Sequence, residues 1–233
     1  MRQHEQVAAC KTLISKNANT MLVKTNAIVL HTLKYGDRKL IVDFYTEELG
    51  RVTSVVKIPQ TRRSRLPKQL FMPLTLLAME IDFRPRQQMQ KITDAQLLAP
   101  WQSLCFEPAK TTVGIFLAEV LTYATRTGQP DHSLYGFVAT SLQWLDLATE
   151  GTANFHIAFL VMLTKYLGWD MLHSENAWKF GDVIGITYDT MDSCPLSRQQ
   201  RQMFLGELMR YYRQNIPSFP EPKSLHIMQQ IFD

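Results

Sequence analysis

A mixed α+β fold, in which a five-stranded barrel leads into an all-helical region, is predicted by three observations. Residues 25–57, TNAIVLHTLKYGDRKLIVDFYTEELGRVTSVVK, hold three apolar-rich runs broken at Tyr35-Gly36-Asp37 and Glu47-Glu48-Leu49-Gly50, where turn chemistry belongs. Two further strand-like runs follow before residue 98. From Trp101 onward the apolar spacing changes to threes and fours and stays there. Strands first and helices afterwards place the chain in the α+β class rather than among alternating α/β folds.

The first three strands form a meander. Strand one sets Ala27, Val29 and Thr32 against Ile28, Leu30 and Leu33, so both faces are apolar. That pattern suits a strand with a barrel interior on one side and another element over part of the other. After the third strand, Arg51 to Lys57, comes IPQTRRSRLPKQL, a loop by its two prolines and its lack of apolar period. Leu74 to Phe83 alternates with a period of two, Arg84-Pro85-Arg86 turns the chain, and Met89 to Leu97 gives a fifth strand. Five short strands within about 75 residues, with the long connection between the third and fourth, match the size and count of an OB-fold barrel.

Helices are expected over Glu107 to Thr127, from Asp131 or Ser133 to about Gly151, over Thr152 to Leu167, from Ser197 to about Asn215, and over Ser224 to Phe232. The third, with FHIAFLVMLTKYL apolar nearly all round, reads as the central helix of a bundle, stopped by Gly168. Ser197-Arg198-Gln199-Gln200 has capping-box spacing, and Pro217, Pro220 and Pro222 break the helix that it opens. Trp169 to Cys194 shows no sustained stripe and is expected to be irregular or a short hairpin. The organisation is then a leader over 1–20, disordered or dispensable, ahead of Met21; an OB-fold domain over 21–100; and a helical domain over 101–233 with an irregular segment at 169–196.

Composition bounds the function. With 45% hydrophobic and 10% aromatic residues the chain has the means to build a core, which excludes a disordered class. Its longest apolar run, Ile157 to Leu163, is far short of the roughly 20 residues that span a bilayer, so no membrane partner is expected. Cys10, Cys105 and Cys194 are scattered and form no CxxC pair, so neither a disulfide framework nor a metal site is expected, and a reducing cytoplasm fits best. Charge is uneven: residues 21–100 carry 13 Lys/Arg against 7 Asp/Glu, a net of +6, whereas residues 101–233 carry 9 against 13, a net of −4. A basic barrel fused to a mildly acidic remainder points to a polyanion on the first part and a different partner on the second.

Three separated segments supply the cations. The first inter-strand loop has Lys34, Arg38 and Lys39; the long loop has Lys57, Arg62, Arg63, Arg65 and Lys68; the loop between strands four and five has Arg84 and Arg86. A single charge run is ordinarily a solvated face, but convergence of three on the loops that flank an OB oligonucleotide face argues for phosphate contact. Tyr35 is the aromatic best placed to stack on an unpaired base, with Phe44 and Tyr45 weaker because strand aromatics are mostly core. Nucleophile elbows, Gly-rich phosphate loops and HExxH motifs are lacking, the six histidines have no ligand spacing, and His156 in an apolar helix reads as a core residue. The expectation is a non-enzyme without cofactor, localised to the cytoplasm. A basic barrel by itself also permits an RNA-binding, translation-associated protein.

The run NAIVLHTLKYGDRKLIVDFYTEELGRVTSVVK, with FLVMLTKYLGW and the ending PKSLHIMQQIFD, resembles the bacterial recombination mediator family RecO. The resemblance implies association with the nucleoid, binding of single- and double-stranded DNA, strand annealing, and work with RecR, single-strand-binding protein and RecA in recombinational repair of DNA damage. Many members carry a four-cysteine zinc module in the segment corresponding to 169–196; here that segment holds only Cys194. The tail of single-strand-binding protein, acidic with an apolar end, would need an apolar wall beside a cation. Lys165 with Tyr166 and Trp169 is the expected place, and Arg198 with Arg201 the alternative.

Overall fold

In a computed structural model, the structure describes residues 21–57, 66–126, 128–173, 188, 190 and 196–231. Five strands, β1 (Met21–Tyr35), β2 (Lys39–Thr46), β3 (Gly50–Lys57), β4 (Leu76–Phe83) and β5 (Met89–Leu97), close into a barrel of order β1-β2-β3-β5-β4. All neighbours are antiparallel except β3 and β5, whose parallel register pairs Thr53 with Met89 and Ser54 with Gln90. β1 is long because it serves two neighbours: residues 21–28 pair with β4 and residues 27–35 with β2.

A bulge between Val29 and His31 gives β1 one extra residue, Leu30, against β2. It shifts the alternation by one. Before it, Ala27 and Val29 point inward; after it, Thr32 stands opposite the inward Val42 and Leu33 opposite the outward Ile41. The interior is filled by Ala27, Val29, Leu40, Val42, Phe44, Val52, Val56, Leu77, Met79 and Ile81, and Phe71 plugs it edge-on to Phe44 at 6.2 Å. Phe71 ends a 3-10 turn, Lys68–Phe71, that begins inside the segment expected to be a loop, and the Thr32 hydroxyl donates to its carbonyl at 2.6 Å. β4 starts two residues later than the period of two predicts, because Leu74, after Pro73, adopts φ 64 and turns the chain.

The helical part holds α1 (Pro108–Ala124), α2 (His132–Leu147), α3 (Thr152–Tyr166), α4 (Arg198–Asn215) and α5 (Leu225–Ile231). The Asp131 side chain accepts from the Ser133 and Leu134 amides, and Ser197 with Gln200 forms the capping box. α3 is buried from Asn154 through Val161 and packs as the central helix. The segments 1–20, 58–65 and most of 174–195 lie outside the described residues, and with them the expected leader and Arg62, Arg63, Arg65 and Cys194.

Barrel and helices share one core. The outward residues Ile28, Leu30, Tyr45, Leu74 and Leu76 belong to the same cluster as Phe116, Leu117, Leu142 and Phe159. Two devices lock the junction. Gly50, at φ +65, closes the β2–β3 turn directly beneath the α1–α2 connection, where a Cβ would stand 2.7 Å from the Gly128 carbonyl oxygen and 2.8 Å from Pro130 N. The buried carboxylate of Asp146 accepts from the amides of Gln102, Ser103 and Leu104, which fastens the strand-to-helix linker onto α2. Buried Lys110 joins it, donating to Ser103 Oγ at 2.6 Å and to the Ala148 carbonyl at 2.6 Å. Burial pushes the Asp146 carboxyl upward, but the three amides and Lys110 outweigh it and hold the group below the ordinary carboxylate range.

Candidate nucleic-acid interface

The outer face of β1, β2 and β3 is built in rows by strand register. Tyr35, Lys39 and Lys57 form the row nearest the β1–β2 turn; Leu33, Ile41 and Val55 form the next; His31, Asp43 and Thr53 form the third, which Met89 extends through β5. The first two rows reach solvent at their edges, where Tyr35 is 59%, Leu33 52% and Val55 36% exposed around a half-buried Ile41, and in the third row Met89 is 45% exposed. The face therefore presents an apolar floor with lysines at one end. Among the described residues, Lys34, Tyr35, Lys39 and Lys57 have no hydrogen-bonding or ion-pair partner through their side chains. Lys39 and Lys57 are direct cross-strand partners, a like-charge pairing that costs a strand pair stability unless an anion lies over it.

The third row is fixed by Asp43, which accepts from the Thr53 hydroxyl at 2.6 Å and pairs with Arg51 at 3.1 Å. Arg51 is thereby withdrawn from any ligand; it also donates to the Thr122 carbonyl at 3.0 Å and so ties the barrel to α1. The turn between β4 and β5 carries exposed Arg84 and Arg86 and feeds Met89 onto the face. Gln90, pointing inward, staples that turn: it accepts from the Arg84 amide at 2.7 Å and donates to the carbonyls of Arg84 and Gln87. Arg84 is paired with Asp82 at 3.1 Å.

Of the sequence-predicted cations, the structure brings Lys39 and Lys57 together in one row with Tyr35 and sets Lys34 and Arg38 at the same turn. Lys68 is exposed on the 3-10 turn that plugs the barrel. Phe44 is interior, and Tyr45 is buried under the helices with its hydroxyl pushed up to about 12 by that burial and by Asp131, so neither is a stacking platform. Sequence reasoning missed Leu33, Ile41, Val55 and Met89 as surface residues. The slip of alternation between Val29 and Thr32 was the available signal, since it marks where the outward apolar series continues past the covered part of β1.

On the helical side, a cleft of about 470 Å³ opens between the α1–α2 connection and the ends of α3 and α4. Tyr123, Leu134, Tyr166, Leu167, Trp169 and Ile216 form its walls, and its cation is Arg126. Tyr166 stacks on Phe137 at 4.5 Å and Trp169 packs against Tyr212 at 4.9 Å, so the walls are rigid. Lys165 is exposed beside the cleft and does not line it. Arg198 and Arg201 stand elsewhere, around a crevice of about 20 Å³ with His156, and Arg201 donates to the Leu196 carbonyl at 2.7 Å. His156 is a core residue whose pKa burial and Arg201 push down to about 3, which keeps it neutral at physiological pH.

A closed five-stranded barrel of order β1-β2-β3-β5-β4, with an uncovered, lysine-bordered apolar face and a core shared with a helical region, places the protein in the OB-fold class. Comparison with known proteins carries this further. Residues 21–101 match the family described as Recombination protein O N terminal, and residues 105–178 match Recombination protein O C terminal. A DNA repair protein RecO of Phocaeicola vulgatus is 33% identical over 240 residues, covering 91% of this chain and 100% of that protein. The DNA repair protein RecO of Bacteroides fragilis is 32% identical over 242 residues, and that of Christiangramia forsetii 30% over 239, with the same coverage. The chain belongs to the RecO family of DNA repair proteins. No helix among the described residues is long and apolar enough to cross a membrane.

Proposed function

We propose that the protein is a recombination mediator that binds DNA on the outer face of its barrel, promotes strand annealing, and acts with RecR, single-strand-binding protein and RecA in gap repair. The observation that carries the DNA reading is the row Tyr35–Lys39–Lys57 above the apolar row Leu33–Ile41–Val55. Phosphates of a strand laid on this face neutralise the facing lysines, and unstacked bases cover the apolar floor and Tyr35. Annealing needs no bond chemistry: charge screening on two strands and exposure of unpaired bases lower the barrier to pairing. The Tyr166–Trp169 cleft, with Arg126 in place of Lys165 as its cation, has the chemistry to take an acidic tail with an apolar end.

Lys57→Glu tests the DNA reading with two signs at once. It converts a like-charge cross-strand pair into an opposite-charge pair, so the melting temperature is expected to rise, by a stabilisation of about 0.2–1 kcal/mol. Single-strand affinity is expected to fall, with the log–log salt slope smaller by about 0.7 because one phosphate is no longer neutralised. Unchanged affinity across a salt series overturns the assignment of this face.

A further inference from the structure

The outer face does not end at its third row. Beyond His31 and Asp43 it runs into a second cleft, of about 490 Å³, between β1–β3, α1 and the proline-rich segment before α5. Leu30, Pro73, Ile115, Pro220 and Pro222 contribute its apolar surface, and Arg126 and Lys223 its free cations. Every carboxylate that lines it is already engaged. Asp43 is held by Arg51 and Thr53, with His31 at 3.9 Å; Glu119 accepts from the Ser224 amide at 3.1 Å and hydroxyl at 2.8 Å; Glu221 lies 3.5 Å from Arg213. Arg126 and Lys223, both exposed, make no side-chain hydrogen bond or ion pair among the described residues. Asp43 and Glu221 are thus ion-paired and Glu119, which keeps its charge, is turned onto Ser224, whereas Arg126 and Lys223 are held by no protein group among the described residues.

Length makes the cleft relevant to the strand on the face. From the Lys57 row to the Thr53 row is four residues along β3, about 13 Å at 3.3 Å per residue. That accommodates only a few nucleotides, near the lower end of the roughly 4–16 that an OB fold engages. A strand that crosses the rows from Tyr35 past Leu33 to His31 meets the cleft there, with Arg126 and Lys223 in its lining.

Resting on the DNA reading above, we infer that a single strand continues from the barrel face into the cleft between barrel and α1, where Arg126 and Lys223 hold its phosphates. The bound site then spans both parts of the molecule, and the helical part is a nucleic-acid surface as well as a protein-docking one. Lys223 borders this cleft alone, whereas Arg126 also borders the Tyr166–Trp169 cleft, so Lys223→Glu is the cleaner variant.

The experiment compares oligo-dT of about 4 and about 16 nucleotides, the limits of an OB site, on the full-length protein and on Lys57→Glu, Lys223→Glu and Arg126→Glu/Lys223→Glu. Lys57→Glu is expected to weaken both lengths. Lys223→Glu is expected to weaken only the longer oligomer, and the double variant to lower its salt slope by about 0.7 for each phosphate released, roughly 1.4 in all. A thermal melt accompanies each variant: the two cleft variants should stay within about 0.5 kcal/mol of wild type, and Lys57→Glu should show the modest rise expected of it. If Lys57→Glu weakens both lengths and the cleft variants weaken neither, or weaken short and long alike, the cleft assignment falls and the face assignment stands. If Lys57→Glu has no effect on either length, the DNA reading of the face itself falls.

Discussion

The two halves of the barrel's outer surface are made from the same kind of residue and meet opposite fates. On β1, Ile28 and Leu30 are 0% and 2% exposed, whereas Leu33 and Tyr35, a few residues on, are 52% and 59% exposed. The bulge at Val29/His31 divides them. Before it, outward residues lie beneath α1 and join the helical core; after it, they face solvent. Hydrophobic burial accounts for the covered half, at roughly 1.5–3 kcal/mol for each large side chain removed from water. It gives no reason for the uncovered half. A contiguous apolar row that reaches solvent beside a pair of lysines in mutual repulsion is what the proposed DNA contact would explain.

The covered half is the easier to break, and the largest effect is expected at Gly50. Gly50→Ala forces a side chain into the left-handed region, at about 1–2 kcal/mol, and drives a Cβ into the backbone of residues 128–130, at a further 1–3 kcal/mol typical of overpacking. Chemical denaturation should show a loss of about 2–5 kcal/mol in one cooperative transition seen by both barrel and helix probes. Two separated transitions would mean that the shared core does not couple the two parts.

Next in size is Asp146→Asn, which leaves three linker amides with a weaker acceptor and removes a negative charge near Lys110, whose ion pair with Glu107 remains. A destabilisation of about 1–3 kcal/mol is expected. The pH dependence supplies the sign. The folded-state pKa of Asp146 lies below its unfolded value near 3.9, so its stabilisation is complete above that value and is lost as pH falls through the folded pKa. The gap in melting temperature between wild type and variant should be constant near neutrality and narrow below about pH 4. A gap that persists unchanged in acid would show that the carboxylate charge is not what holds the linker.

How much of this was legible in the sequence follows from the range of the interactions. Elements written by local chemistry were readable: the Tyr35-Gly36-Asp37 break, the period of two over β4, the Ser197/Gln200 box and the Asp131 cap all depend on residues a few positions apart. The Lys110–Asp146 lock joins positions 36 apart, and the Gly50 contact reaches 78 residues ahead to Gly128. No spacing rule announces either. For the same reason sequence proximity points to Lys165 as the cation beside the aromatic wall, whereas the chain that folds back there delivers Arg126. The basic loops were visible as composition, but the pairing of Lys39 with Lys57 needed the register.

The smallest expected change in stability is the most informative about the uncovered half. Leu33→Ser and Val55→Ser remove apolar side chains that are already 52% and 36% exposed, so little burial is forfeited and each should stay within about 0.5 kcal/mol of wild type. Ile28→Ser, on the covered half of the same strand, truncates a side chain with no exposure and introduces a hydroxyl into the core, and should cost about 2–5 kcal/mol. DNA binding is expected to reverse the order. A base resting on the Leu33–Val55 floor contributes on the scale of base–side-chain stacking, about 1–3 kcal/mol for aromatic platforms and less for aliphatic ones. The double variant Leu33→Ser/Val55→Ser should therefore lower single-strand affinity with its salt slope unchanged, because no phosphate contact is touched. Duplex binding, in which the bases stay stacked, should be nearly unaffected. Equal losses on single strands and duplex would show that the open row supports the position of the lysines rather than touching bases. Single-strand affinity equal to that of wild type would remove the row from the interface and leave its exposure to be explained by a protein partner.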